Sequence, residues 1–398
     1  MVPKSVIVLL AGSALAASPA AAESVSPAAH GQSARGELHF VPGIAPAEAR
    51  PSEADQRLAI FTPTTDPIRT TIDYEIWDYA LKKVVLPMGP PDRLGAPTPQ
   101  PISGTRLKHG PQSRYRLEGS LVLFNFLDRD VIASFTEYRQ DLERVANTLD
   151  IASLPRNEQL AFWLNLHNVA LLEQIALAWP VREPREIAIN GVPLDEARFI
   201  SLRGIPISLR DIREEIVFRH WRDPKVIYGF WRGEIGGPEL QSHAFTGANV
   251  SSLLDVAATD FVNSLRGTQK LGKQLAVSEL YGEVAPFYFA DFEPDLRAHL
   301  ARYAEPAVKD LLGKTQGVTA TTRETEIADV SGGSRPPGYL TVVSSRPCPN
   351  RTGDAVCSML TSRAFKLYRM ERNDQPTGRV FFSNIDLQGD PPNKNAVE

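Results

Sequence analysis

The apolar stretch at residues 154–180, LPRNEQLAFWLNLHNVALLEQIALAWP, constrains the fold more than any other part of the sequence. Ser153 is a suitable N-cap, Pro155 fits a first helical turn, and Pro180 ends the segment because a residue before proline disfavours helix. Apolar residues at helical spacing cover both sides of this helix: Leu160, Leu164, Leu171 and Ile175 on one, and Phe162, Leu166, Val169 and Leu177 on the other. A helix that is apolar all round belongs in the centre of a sizeable domain.

Three polar residues, Asn165, His167 and Asn168, interrupt this apolar helix. A buried amide without a hydrogen-bond partner costs about 1–3 kcal/mol, so each of these groups needs a partner. The partner is either the backbone of a crossing loop, in which case the residues pin loops to the core, or a ligand, in which case they form a polar pocket floor. His167 fits a satisfied core histidine better than a catalytic base.

Composition excludes some classes of function. A hydrophobic content of 42% and a charged content of 23% are ordinary for a soluble globular protein. The formal net charge of −4 leaves no basic footprint for nucleic acid. The sequence lacks GxSxG, HExxH and GxxxxGK[ST] runs, so the nucleophile elbow, the zincin site and the P-loop have no support. We predict no cofactor and no metal site.

The first 22 residues have the pattern of a secretory signal. Lys4 precedes an apolar run at 6–17, and the small residues that follow predict cleavage after Ala22. This run is too short to span a bilayer, and no other stretch reaches the roughly 18 apolar residues of a membrane helix. We therefore expect a periplasmic or secreted protein without a transmembrane anchor, whose partner is an unknown small molecule or an envelope protein.

The chain has two cysteines, Cys348 and Cys357. In an oxidising compartment, a pair this close in sequence predicts a disulfide that closes a small loop. The alternative, a pair of free thiols, is uncommon in exported proteins. The pair has no histidine nearby, so it makes a poor metal site.

The pattern along the chain predicts an α+β fold. A helix-rich domain is built around the buried central helix with a small sheet, and a C-terminal β-rich extension follows. We divide the chain into a Pro/Ala-rich flexible arm (23–67), the main domain (68–305), a polar linker (306–336) and the extension (337–390).

Several elements are predicted by local pattern. Helical spacing indicates an amphipathic helix at 131–149, and Ser208 caps another helix. Alternation and β-branched content predict strands at 120–128, 223–231, 338–345, 364–370 and 378–387.

Five segments in order resemble the DUF547 family. NEQLAFWLNLHN at 157–168 is similar to the family's DEQLAFWINLYN-like run. ISLRDIR at 207–213, DPKVIYGF at 223–230, AFTGANV at 244–250 and SELY to DF at 278–292 follow at matching spacing. The resemblance covers roughly 72–300, and it implies a domain of unknown activity that is often exported in bacteria.

The chain departs from the family pattern at one loop in particular. Family members carry a CGxxSCP-like run directly after the segment at 223–230, whereas this chain has WRGEIGGP at 231–238 without cysteine. His167 also stands where tyrosine is more common. If the family's thiols carry its chemistry, this chain lacks that chemistry.

Two hypotheses on function follow. The first is a non-catalytic binding or envelope-associated module, which the loss of the cysteines favours. The second is a hydrolase or transferase with a pocket near 223–250 and the central helix, with Asn165, His167, Asn168, Glu234 and His243 as candidate site residues and Ser242 beside them. A concave pocket that contains Glu234, His243 and Asn165 together would favour the enzyme, and backbone partners for these groups would favour the module.

Overall fold

The computed structural model of the protein describes residues 53–64, 68–97, 110–335, 355–384 and 395–398. The α-helices are α1 (Glu53–Leu58), α2 (Glu75–Val84), α3 (Arg129–Thr148), α4 (Arg156–Ala178), α5 (Phe218–His220), α6 (Val250–Asn263), α7 (Glu279–Tyr288), α8 (Phe292–Tyr303), α9 (Pro306–Lys314) and α10 (Ala355–Arg372). The strands are β1 (Val85–Pro87), β2 (Ser120–Val122), β3 (Ala188–Ile189), β4 (Val192–Pro193), β5 (Ile200–Leu202), β6 (Ile205–Ile207), β7 (Thr268–Leu271), β8 (Gln274–Ser278) and β9 (Val318–Thr322). The α+β fold is therefore confirmed.

Helix α4 is the buried centre that the apolar stretch predicts. Nearly all of its residues from Glu158 to Ala176 are buried, on every face. It begins at Arg156 after Pro155, so Ser153 is not its N-cap; the Ser153 hydroxyl instead donates to the Asp150 carbonyl in a preceding 3-10 turn. By length and composition α4 could also cross a membrane, but 89% of its apolar window is buried inside the protein. The expected absence of a transmembrane anchor stays a prediction.

Helix α3 covers one side of α4. Its N-cap is Asp128, whose carboxylate accepts a hydrogen bond from the Val131 N–H. Phe135, Leu142 and Ala146 are its buried apolar residues, which confirms the predicted amphipathic helix. Ion pairs from Arg139 to Glu173 of α4 fix the two helices against each other.

The strands form small sheets in the described part of the chain. Three antiparallel pairs, β1–β2, β3–β4 and β5–β6, accompany a three-stranded sheet in the order β7-β8-β9. Strand β8 pairs antiparallel with β7 and parallel with β9, from Leu275↔Val318 to Val277↔Ala320 and then to Ser278↔Thr322 after a bulge. The predicted strand at 120–128 is reduced to β2, followed by a 3-10 turn at Phe124–Phe126.

The predicted strand at 223–231 is wrong. Pro224–Gly229 is a 3-10 helix, and the Asp223 carboxylate caps it by accepting from the Lys225 N–H. Gly229 lies directly against α4, where a Cβ would come within 2.7 Å of a Leu164 methyl. The segment is therefore helical although its β-branched content suggested a strand. The Asp223 cap and the packing of Gly229 against Leu164 favour this helical turn.

The predicted polar linker at 306–336 contains regular elements that belong to the main body. Helix α9 starts at Pro306, and β9 completes the three-stranded sheet. The predicted strand at 364–370 is also wrong, because this segment lies inside α10. Met359, Lys366 and Met370 are its buried residues, and their spacing of seven and four is helical. Within 378–384 no strand forms.

Helix α10 is held by a buried lysine. The Lys366 ammonium donates to the carbonyls of Met88, Gly89 and Leu117, so α10 packs on the main domain. The predicted signal peptide, most of the arm, Cys348 and the strand at 338–345 lie outside the described residues. Cys357 lies on α10, and the disulfide and export stay predictions.

A buried histidine predicts how stability responds to pH. The Tyr228 hydroxyl lies 2.8 Å from His299 Nε2, and burial lowers the pKa of His299 to about 4. Because the unfolded chain keeps the ordinary pKa near 6.5, it binds more protons than the folded protein between these values. We expect His299 to cost the fold about 2 kcal/mol as pH falls from 7 to 5.

Urea unfolding at pH 7, 6 and 5 measures this effect against the variant His299→Phe. The buried His167 titrates in both proteins and cancels in the comparison. As the pH falls, the free energy of unfolding of the wild type should decrease relative to that of the variant, because only the wild type has His299. Parallel pH profiles for the two proteins would contradict the assignment.

Candidate functional site

The two asparagines of α4 hold loops. The Asn165 amide donates to the Phe245 carbonyl (2.7 Å) and accepts from the Phe245 N–H (3.1 Å). The Asn168 amide donates to the Gly229 carbonyl (2.9 Å) and accepts from the Trp231 N–H (3.1 Å). Both side chains are almost fully buried. Their polar atoms are therefore directed at backbone, as the loop-pinning interpretation expects.

His167 lies between Asn168 and an arginine that sequence reasoning missed. Its Nδ1 is 3.1 Å from Asn168 Oδ1, and its Nε2 is 3.1 Å from Arg213 Nη1. Burial and the charge of Arg213 lower the pKa of His167 well below its ordinary value, so the ring is neutral. An arginine can only donate, so Nε2 accepts and Nδ1 carries the proton that Asn168 accepts. His167 therefore orients Arg213.

Arg213 forms a two-bond ion pair with Asp195. Its Nη1 and Nη2 donate to the two carboxylate oxygens, each at 2.7 Å. Although burial opposes ionisation, the charge and hydrogen bonds of Arg213 keep the pKa of Asp195 well below its ordinary value. Arg213 lies in a π-helical turn, Asp211–Val217, inside a helical segment that starts directly after the predicted cap Ser208. Ser208 and Asp211 bond to each other's N–H in a capping box.

This pair lies in a cleft of about 600 Å³, here called the arginine cleft. Segments from the turn before β3, the end of β4, the π-helical turn, the loop at 232–238, the start of α7 and the end of β9 form its walls. Its charged lining residues are Arg185, Asp195, Arg210, Arg213, Glu214, Arg232, Glu234, Glu279, Glu283, Arg323 and Glu324.

Two arginines, Arg213 and Arg232, line the inner part of the arginine cleft. The side chain of Arg213 is 2% exposed and that of Arg232 is 20% exposed. Burial, and after it the charge of Arg213, lowers the pKa of Arg232. Arg232 bonds to Glu283 through one contact of 2.9 Å, and the Glu283 side chain is 46% exposed. Arg232 is thus a partly buried cation whose carboxylate partner is half-exposed.

Glu234 lines the same cleft. Burial raises its pKa, while the two bonds from Arg185, which include Nη2 at 2.9 Å, oppose that change. Gly233 between Arg232 and Glu234 adopts φ +77°, and a Cβ there would come within 2.5 Å of Ile175. A glycine is needed at this turn, and the turn directs residues on either side of it into the cleft.

His243 and Ser242 lie away from the cleft. Ser242 Oγ is 3.3 Å from His243 Nδ1, and the His243 ring packs against Phe381. Of the candidates named from sequence, only Glu234 lines the arginine cleft. The arginine cleft does not bring Glu234, His243 and Asn165 together, and the hydrolase or transferase hypothesis stays a prediction. An arginine on the inward side of a predicted helix, as at Arg213, was the signal that could have located this site.

In the part of the chain that the structure describes, no group of three or more His, Cys, Asp or Glu side chains is arranged to hold a metal ion. Among the described residues that line the cleft there is neither histidine nor cysteine. Ser278 is in the lining, but its hydroxyl accepts from the Leu280 N–H as the N-cap of α7. Besides Ser278, the side chains of the lining that could act as nucleophiles are Thr322 and the carboxylates.

The model of the family described as "Protein of unknown function, DUF547" matches residues 151–262. This range is shorter than the span over which the motifs resemble the family, but it contains α4, Arg213 and the loop with Arg232 and Glu234. No curated protein and no solved structure matches the chain significantly.

Proposed function

We propose that this chain, which belongs to the DUF547 family through residues 151–262, is a non-catalytic module that binds a small zwitterion in the arginine cleft. The observation that carries the proposal is the arrangement of charge. Arg232 and Arg213, the latter paired with Asp195, lie inside the cleft, and half-exposed carboxylates stand at its rim beside the half-exposed Arg210 and Arg323. A ligand with an anionic group inward and a cationic group outward is complementary to both.

The guanidinium groups inside the cleft favour a ligand carboxylate that lies in the plane of a guanidinium. Arg232 has one bond to an exposed carboxylate, so a ligand carboxylate can replace Glu283 or join it. Guanidinium donors fit a carboxylate through two parallel bonds. At the rim, Glu214, Glu279 and Glu283 keep 36–46% of their side chains exposed. Each lies within 4.0 Å of an arginine, so a ligand ammonium group would share these carboxylates with the arginines.

Two observations favour binding over catalysis. The polar groups of α4 are used by loop backbone and by Arg213, so they do not supply a base to the cleft. The loop at 231–238 replaces the family's CGxxSCP-like run, and it contributes Arg232 and Glu234 to the lining of the arginine cleft. The loop that resembles the family's cysteine-containing loop thus supplies charged side chains in this chain.

Calorimetric titration tests the proposal with a zwitterionic dipeptide (alanyl-alanine), a dianion (succinate) and a dication (putrescine). We expect the dipeptide to bind best. Arg232→Met should weaken it by about 10–100-fold, because a hydrogen bond to a charged group contributes about 1.5–3 kcal/mol. Arg219→Met is the matched control, since Arg219 pairs with Glu215 and does not line the cleft. Equal affinity in Arg232→Met, or no dipeptide binding at millimolar concentration, would refute the proposal.

A second candidate, a hydrolase or transferase, has one observation in its favour. Burial raises the pKa of Glu234 in the cleft, and a carboxyl group with a raised pKa can act as a general acid. The wild type would then turn over an ester, amide or glycoside with a nitrophenyl leaving group, and Glu234→Gln would bind the compound without turning it over. Equal rates in both proteins would exclude this role.

A further inference from the structure

Residues 395–398 lie in a groove beside the first turn of α4, and the groove holds them by their backbone. The Asn157 amide donates to the Asn395 carbonyl and accepts from the Val397 N–H, both at 2.8 Å. On the other side, the Asp223 N–H donates to the Glu398 carbonyl at 2.6 Å. A side-chain amide that bonds a carbonyl and an N–H two residues apart recognises extended chain rather than a particular side chain.

One side chain of the segment is an apolar anchor. Val397 is 2% exposed and belongs to the buried core cluster. Next to the segment is a cavity of about 450 Å³, lined by Arg222, Lys225 and Arg302 together with Asp223. Residues 396–398 line this cavity too. The facing cationic wall consists of Arg222, Lys225, which pairs with Asp255, and Arg302, which pairs with Asp223.

We infer that this groove is a binding site for an extended peptide that carries a branched apolar residue followed by an acidic residue. The chain's own residues 395–398 occupy the site and compete with a peptide from outside. Backbone bonds supply the register, the valine pocket supplies the apolar preference, and the cationic wall selects the acidic residue. This site is separate from the arginine cleft, and no residue lines both.

The competition sets the affinity range of the test. A segment that belongs to the same chain as its groove has an effective concentration that reaches the millimolar range when the connection is short. Occupation of the groove in cis therefore corresponds to a peptide dissociation constant of about 1 mM or below. Removing the segment should expose the site, so the acetylated peptide Asn-Ala-Val-Glu should bind the shortened chain at least tenfold more tightly than the intact chain.

The experiment titrates the fluorescent-labelled peptide into the intact chain, into a chain without residues 395–398, and into Val397→Asp. The aspartate variant keeps the chain length but disfavours the apolar pocket, so it opens the site if the deletion does not fold. Thermal unfolding establishes which variants are folded. A peptide N-methylated at valine is the matched control, because it lacks the N–H that Asn157 accepts and leaves the protein unchanged.

Tighter binding to either opened variant, together with loss of binding on N-methylation, supports the site. Asn157→Asp should also weaken the peptide in an opened chain, since a carboxylate keeps the acceptor but cannot donate to the carbonyl. Equal binding to intact and opened chains would overturn the inference, as would a folded opened variant that binds neither peptide or binds both equally.

Discussion

Replacing Asn165 with leucine should destabilise the fold by about 4 kcal/mol. The two residues have similar size, so the main loss is that of the hydrogen bonds to Phe245. Phe245 is buried, and both its N–H and its carbonyl lose their partner in the variant. A buried polar group left without a partner costs about 1–3 kcal/mol, and two such groups give the expected value. Chemical unfolding of the full chain measures it.

Asn147→Leu is the matched control. Asn147 also accepts a backbone N–H, that of Arg203, but on an exposed surface where water replaces the lost bond. The control should therefore change stability by less than about 1 kcal/mol. If Asn165→Leu were as mild as Asn147→Leu, the amide would not be holding the loop, and the pocket-floor interpretation of α4 would regain support.

Replacing Glu173 with glutamine should destabilise the fold by about 3–4 kcal/mol. Glu173 of α4 is 1% exposed and accepts Nε and Nη2 of Arg139 on α3. Removing one member of a buried ion pair leaves an uncompensated charge, which typically costs about 3–5 kcal/mol. We expect the lower part of that range because Arg139 keeps a second partner, Glu143.

That second partner provides the control. Glu143 binds the same guanidinium from one turn along α3, and its side chain is more exposed than that of Glu173. Glu143→Gln should cost less than about 1 kcal/mol, as partly exposed pairs at this spacing do. Because Arg139 is common to both variants, the difference between them reports burial alone. Equal effects would show that the α3–α4 contact does not depend on a buried charge.

The polar residues of α4 act at a distance on the proposed site. His167 holds Arg213 in place, Asn168 holds the backbone at Gly229 and Trp231, and the loop that follows Trp231 carries Arg232 and Glu234 into the cleft. A variant of Asn168 is therefore expected to change stability and cleft affinity together. A variant of Arg232 should change affinity alone, which separates support of the site from contact with the ligand.

Elements with a strong local pattern could be predicted from the sequence. The apolar run located α4, the amphipathic spacing located α3, and Ser208 marked the start of the helical segment that carries Arg213. The same reasoning failed at 223–231 and at 364–370, because a short apolar segment fits both the two-residue period of a strand and the 3.6-residue period of a helix. Tertiary contacts favour the helical conformation in both segments. Leu164 packs against Gly229 in the first, and the carbonyls of Met88 and Leu117 accept from Lys366 in the second.

The site needed the tertiary structure. The sequence by itself determined that Asn165 and Asn168 are buried and must have partners, but not which partners they have. Those partners lie 80 and 61 residues away, and Asp195 and Arg213 meet only because two turns pack against α4. Periodicity and capping act between residues a few positions apart, so they determine helices and their buried faces. A cleft is formed by segments that are distant in sequence, and only their packing decides which charges share it.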